Sequence, residues 1–329
     1  MKADLDWRPM ALVPALALGV LPFIGSGSTW VTLTVAGLAM GMIIFVIASG
    51  LTLIFGLMDV LNFGHGVFIA LGAFVATSVL GGMADWTGSA SLWRNLAAVA
   101  AAMLVAMLVA GAVGLAFERF IVRPVYGNHL KQILITMGGM IIGEELIKVI
   151  WGPLQIPLPL PEGMRGTVVL DLFGGTAAVE RYRLIAVAVG LAVFAALLWT
   201  LKRTKIGLLI RAGVQDREMV EALGYRIKLL FIGVFVVGSA LAGLGGVLWG
   251  LYQQSVVPQM GAHVNVLIFI VLIIGGLGST TGALIGALLV GLMANYTGFL
   301  VPKAALFSNI ALMMAILLWR PQGVYALNR

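Results

Sequence analysis

Residues 202–228 read KRTKIGLLIRAGVQDREMVEALGYRIK and lie between apolar runs at 184–201 and 229–251. Seven of the chain's twenty Lys and Arg residues fall in this stretch: Lys202, Arg203, Lys205, Arg211, Arg217, Arg226 and Lys228. Each such cation costs about 2.5–3.5 kcal/mol at the centre of a bilayer, so the stretch must leave the lipid on the side that collects positive charge. It therefore reads as a cytoplasmic loop of a membrane protein. Its middle, Ala212 to Gly224, reads as one short amphipathic helix closed by glycine. A structured helix shown to the cytoplasm implies a partner there.

Working outward, the rest of the chain is apolar. Charged residues make up 10% of it, against about 25% in soluble domains, and mean hydropathy is +1.09. Several stretches approach the roughly 20 residues that cross a bilayer as a helix. The chain reads as a single all-α, polytopic membrane domain over residues 1–329, with the basic loop at 202–228. Weak period-two alternation and few aromatic girdles argue against an outer-membrane barrel. The net charge of +7 reflects loop charge on one side and is no sign of nucleic-acid binding.

Apolar segments run at about 10–25, 31–57, 67–83, 96–117, 132–151, 184–201, 229–251, 264–275, 282–297 and 304–319. The first lies behind Lys2 and Arg8, but Asp4, Asp6 and the lack of an Ala-x-Ala site favour a retained span over a signal peptide. With the N-terminus inside, fourteen of the twenty Lys and Arg residues fall on the inner side and five outside: Arg94, Arg165, Arg181, Arg183 and Lys303. Treating 264–297 as two segments broken at Gly275–Gly282 keeps Arg320 and Arg329 inside as well. About ten membrane segments follow, with eight or nine as the alternative, and both termini are expected in the cytoplasm. The outer loop at 152–183 is expected to carry a hairpin near 167–172 and 177–183. It reads equally as a docking surface or as an ordered connector.

Catalysis finds little support. No G-x-x-x-x-G-K-[ST] loop, H-E-x-x-H or Ser-His-Asp arrangement occurs, so the chain is not expected to be an enzyme or to hydrolyse ATP itself. It has no cysteine, and its three histidines are too scattered for a metal site; no cofactor is expected. Glycine, at 43 of 329 residues, is about twice its usual share, which in membrane helices favours close packing. Two glycine-broken stretches carry polar residues at the expected edge of the membrane. The first holds Asn62, Gly64, His65 and Gly66; the second holds Gly275, Gly276, Gly278 and Ser279. Paired interruptions of this kind point to a translocation path, and tight packing turns are the competing reading. His65 reads as a hydrogen-bonded structural residue. Glu144 and Lys148 are spaced to pair on one helix face near the outer headgroups, a structural pair rather than an ion relay. Glu118, Arg119 and Arg123 read as a solvated charge cluster at a helix end.

Four segments, in order, resemble the branched-chain amino acid ABC-importer permeases of the LivH type. They are Gly50–Gly66 with Leu71–Phe74; Glu118-Arg119 with Arg123-Pro124; Arg211–Gly224 with Leu241–Leu248; and Gly275–Ser279 with Gly282-Ala283 and Arg320–Gly323. The resemblance implies a bacterial inner-membrane subunit that pairs with a homologous second permease. Two cytoplasmic ATP-binding subunits would drive the pair, and an extracytoplasmic solute-binding protein would feed it, with membrane lipid around it. It further implies that Arg211, Ala212, Asp216, Glu218, Glu221, Ala222 and Gly224 belong to a coupling helix gripped by the ATPase. Permeases for urea and amides look similar, and a self-contained ion-coupled transporter is the reading from a different class.

Overall fold

The computed structural model describes residues 8–172 and 175–325. Thirteen α-helices appear among them: α1 (Leu12–Ile24), α2 (Gly27–Met58), α3 (His65–Gly82), α4 (Ala84–Thr87), α5 (Leu92–Phe117), α6 (His129–Trp151), α7 (Arg181–Arg203), α8 (Lys205–Gln215), α9 (Arg217–Ala222), α10 (Ile227–Gln253), α11 (Met260–Gly275), α12 (Thr280–Leu300) and α13 (Ala305–Trp319). Six helical stretches are long and apolar enough to cross a membrane: 27–58, 65–82, 92–125, 181–203, 227–253 and 280–300. The stretches 9–24, 260–275 and 307–319 are apolar but shorter. At 23 residues α6 has the length, but carries Glu144, Glu145 and Lys148. All ten expected apolar segments fall on helices, and the break after Gly275 separates α11 from α12 as expected.

The 32-residue α2 is the central post, its sides taken by α12, α10 and α7. Residues 43–48 of α2 are fully buried. Glycines set how closely its neighbours approach. A Cβ built on Gly41 would stand 2.8 Å from the Ala287 carbonyl oxygen of α12, and one on Gly238 of α10 would stand 2.8 Å from the Gly50 carbonyl oxygen. Backbone-to-backbone contact of this kind is how small residues hold membrane helices together.

At the end away from the basic loop, the strands Thr167–Leu172 and Gly175–Glu180 form the expected antiparallel hairpin, although Arg181 to Arg183 open α7 instead of ending a strand. Two further short strands, Ile156–Pro157 and Ser255–Val256, pair antiparallel and clip this loop to the end of α10. Buried Asn95 binds the backbone at Trp86 and Ser89 through its amide nitrogen and accepts from Gly163 N at 2.6 Å. These bonds hold the described part of the loop near Gly163 against the start of α5.

Candidate functional site: two helix starts inside the bundle

The chain between α2 and α3 does not turn at the bundle surface. His65 opens α3, yet its Nε2 lies 3.2 Å from the Ile47 carbonyl oxygen, eleven residues back from the end of α2. At 1.5 Å per residue that is about 16 Å along the helix, and six extended residues can cover it. Residues 59–64 thus run back alongside α2 into the interior, so α3 starts deep in the protein. Asn62 and His65, expected at the membrane edge, are fully buried within the bundle. The Asp59 backbone takes the left-handed conformation at φ 53° to make the reversal.

Irregular backbone inside a membrane bundle needs partners for its N–H and C=O groups, and neighbouring side chains supply them. Leu61 N donates to Gln132 Oε1 at 3.3 Å, and Phe63 N donates to Thr136 Oγ1 at 3.1 Å, both on α6. Asn265 of α11 donates its Nδ2 to the Phe63 carbonyl at 2.9 Å. The Phe63 and Phe269 rings stack at 4.6 Å.

The start of α11 meets the start of α3. A Cβ on Gly66 would lie 2.6 Å from the Gly261 carbonyl oxygen, so the two backbones touch. From this level the helices diverge. Along α3, Gly72 reaches Gly243 of α10, whereas α11 descends until the turn after it, at Gly278, stands against Gly56 near the end of α2. The two glycine-broken stretches expected from sequence are therefore in contact, Gly278 Cα being 2.8 Å from a Cβ on Gly56. They differ in kind, however. Gly275, Gly276, Gly278 and Ser279 form a tight turn at the basic end: Ser279 caps α12 by accepting from Gly282 N at 3.1 Å, and Gly276 has φ 93°. Asn62, Gly64, His65 and Gly66 lie in the interior.

Several buried polar atoms around these helix starts have no partner: Asn62 Oδ1 and Nδ2, His65 Nδ1, Asn265 Oδ1 and Ser239 Oγ. The carbonyl at His65 Nε2 requires that nitrogen to donate, which leaves Nδ1 of a neutral ring as an open acceptor. Its bond to Ile47 bears out the structural role expected for His65. On α6, Lys148 Nζ lies 3.0 Å from Glu144 and 2.8 Å from Glu145. The expected pair is present, joined by a second carboxylate. This part of α6 packs on the first turn of α3: a Cβ on Gly143 would stand 2.6 Å from a Val67 methyl, and Glu144 and Val67 line one small notch.

At the basic end, the expected single helix over 212–224 is two. Asp216 breaks it, leaving the helical conformation at φ −151° and accepting from Met219 N at 2.9 Å to cap α9. The strong N-cap preference of Asp explains the interruption. Gly224, at φ 88°, turns the chain toward α10. Arg211, Asp216, Glu218, Glu221, Ala222 and Gly224 are exposed, and Ala212 is half-buried. Sequence reading passed over Met219 and Leu223, which are 62% and 70% exposed outside the bilayer-length helices; their i,i+4 spacing was the available signal. A cavity of about 670 Å³ separates this segment from residues 118–126, lined by Arg119, Arg123, Tyr126, Glu221, Arg226 and Lys228 among others. Glu118 also lines it but is 1% exposed and accepts from Tyr126 Oη at 2.5 Å. The expectation of a solvated cluster thus fails at Glu118, where a π-helical turn over Glu118–Val122 rotates the carboxylate inward.

Among the described residues no group of His, Asp and Glu could hold a metal. Residues 33–318 match the family described as branched-chain amino acid transport system, permease component. The chain is 27% identical to the high-affinity branched-chain amino acid transport system permease protein LivH of Salmonella typhimurium, over 88% of this chain and 92% of that one. It is 29% identical to BraD of Pseudomonas aeruginosa, over 88% and 94%, and 26% identical to LivM of Escherichia coli, over 98% and 76%. No solved structure matches. With helix starts buried in its bundle and a match along most of its length, the chain belongs to the family of branched-chain amino acid transport permeases.

Proposed function

We propose that this chain is one of two membrane subunits of an ATP-driven importer and forms half of a path for branched-chain or related amino acids. The observation that carries the reading is the back-to-back start of α3 and α11 in the interior. Helix N-termini bear partial positive charge, and interrupted helices place such ends where small anionic groups pass. A zwitterionic solute needs no more than such dipoles, amides and hydroxyls, and Asn62, His65 and Gly66 stand there. Similarity to both LivH and LivM, each named a permease of a branched-chain amino acid system, supports pairing with a homologous second permease.

The ten apolar helices would each cross or enter the membrane, the shorter α1, α11 and α13 included. The basic end would face the cytoplasm with both termini, by the positive-inside rule. There the exposed α9 segment would sit in a groove of an ATP-binding subunit, two of which serve the permease pair. On the other face, the ordered loop around 152–180 would receive a solute-binding protein. ATP binding would draw the coupling segments together and alternate the access of the path.

The test is reconstitution. Leucine should accumulate in vesicles only when this chain, the second permease, the ATP-binding subunits and the binding protein are present with ATP. Accumulation by this polypeptide alone under an ion gradient would overturn the reading.

A further inference from the structure

The cavity at the basic end is lined by cations that bond nothing. Arg119 and Arg123 stand on one wall, Arg226 and Lys228 on the other. Among the described residues none of these four side chains makes a hydrogen bond or ion pair. At the opposite end of the bundle the cations are engaged: Arg165 and Arg183 pair with Glu162 and Glu180, and Arg181 donates to the Gly163 carbonyl. Two carboxylates share the cavity, Glu118 and Glu221, so four cations against two leave it positive. Like charges around one space repel unless an anion joins them. The first turn of α10 adds to the field, because residues 226–229 line the same cavity and Arg226 at the N-cap supplies no side-chain acceptor.

The cavity also sits where two bilayer-length helices end. The helical stretch 92–125 runs into it, and α10 leaves from it at Ile227. From there an apolar trough follows α10 away from the basic end. Leu229 is 58% exposed and Val237 is 49% exposed, while Gly233 between them has nothing within 4 Å of where a Cβ would be. Spaced i, i+4 and i+8, the three share one helix face and span about 12 Å. A soluble anion would use the cations and leave the trough empty. An amphiphile uses both.

We propose that this cavity holds the head of an anionic phospholipid from the leaflet on the basic side. Its phosphate lies among Arg119, Arg123, Arg226 and Lys228, and an acyl chain lies along Leu229, Gly233 and Val237. Basic recesses between membrane helices suit such heads. At about 670 Å³ the space falls within the ~300–1,000 Å³ of small-molecule sites. Glu118, almost fully buried in the wall, accepts from Tyr126 through one oxygen and has no partner for Oε2. That open acceptor favours a head with hydroxyls, such as phosphoglycerol, over a bare phosphate. Because Glu221, Gly224 and Tyr225 complete the lining, the lipid stands between the α9 segment and the bundle. The inference goes beyond the permease reading and needs only that the chain lies in a membrane.

Native mass spectrometry of the purified full chain, titrated with lipid in detergent, tests this. Dioleoyl phosphatidylglycerol should be retained as one tightly held copy, in preference to phosphatidylcholine with the same chains. Arg123→Gln and Lys228→Gln should each weaken its binding about fivefold, the strength of one cation at an anionic membrane surface. Both side chains are exposed and unbonded, so the unfolding temperature without lipid should match the parent's. Lys202→Gln with Arg203→Gln removes two cations from the same end but outside the cavity lining, and should leave binding unchanged. Gly233→Phe, which fills the trough, should weaken binding at constant charge. An equal loss from the 202–203 pair would overturn the site, reducing the effect to diffuse surface charge. Displacement of the lipid by inorganic phosphate alone, or equal retention of phosphatidylcholine, would overturn the assignment to an anionic phospholipid.

Discussion

Asn265 donates its side-chain amide to the backbone carbonyl of Phe63 at 2.9 Å, joining two segments 202 residues apart in sequence. That one bond ties the first turns of α11 to the extended stretch before α3, and it satisfies a carbonyl that no helix can serve. Asn265→Ala should leave the Phe63 carbonyl without this partner and destabilise the fold by about 1–3 kcal/mol. Thermal unfolding of the purified chain in detergent checks this. Asn265→Asp should be no better than alanine, because a carboxylate cannot donate to a carbonyl.

Adjacent glycines on α6 should respond in opposite ways. A Cβ on Gly139 would stand 2.7 Å from the Phe117 ring, which is itself held against Phe68 and Phe235. Gly139→Ala should therefore cost about 1–3 kcal/mol through overpacking. Gly138 has nothing within 4 Å, so Gly138→Ala should be neutral or stabilise by about 0.5–1 kcal/mol, as expected for alanine in a helix interior. Equal unfolding temperatures for the two variants would contradict the packing of α6 on α5.

The α9 segment depends on its cap. Asp216 accepts from Met219 N at 2.9 Å, and Asp216→Ala should loosen that turn by about 1 kcal/mol. Because α9 lies outside the bundle core, overall unfolding should barely move. Amide exchange over 217–223 should rise instead. Asp216→Ser, which can also cap, should retain most of the protection.

What could be read from the residues alone was what depends on local spacing. The apolar runs placed the helices, and Gly275–Ser279 announced the break that α11 and α12 observe. The basic block at 202–228 marked the stretch that folds as the short helices α8 and α9 between α7 and α10. Depth could not be read in this way. Asn62 and His65 look like turn residues because their polarity and flanking glycines are those of a turn; only the long-range partners Ile47, Thr136 and Asn265 draw them inside. Glu118 is similar: its sequence neighbours Arg119 and Arg123 suggest a wet surface, whereas the π-helical turn and Tyr126 bury its carboxylate. The split between α8 and α9 was legible in principle, since Asp is a favoured N-cap residue, but the continuous amphipathic pattern hid it.

The last prediction concerns the surface at the basic end. Met219 and Leu223 lie one helical turn apart on the outer side of α9, while Val220 between them is 5% exposed and faces the protein. Exposed apolar side chains clustered beyond the bilayer-length helices fit a protein partner better than water. Leu223→Glu should therefore lower solute-stimulated ATP hydrolysis and uptake together, with insertion and unfolding temperature unchanged, because the side chain packs against nothing within the chain's core. Hot-spot truncations at interfaces cost about 2 kcal/mol or more, which corresponds to roughly a thirtyfold weaker grip on the ATP-binding subunit proposed above. Glu221→Arg combined with Gly224→Trp should collapse both activities further, the second change also straining a backbone held at φ 88°. Val220→Glu should behave differently, loosening the packing of α9 on the rest of the chain, since it would bury a charge. A Leu223→Glu importer that couples hydrolysis to uptake as well as the parent would remove α9 from the interface.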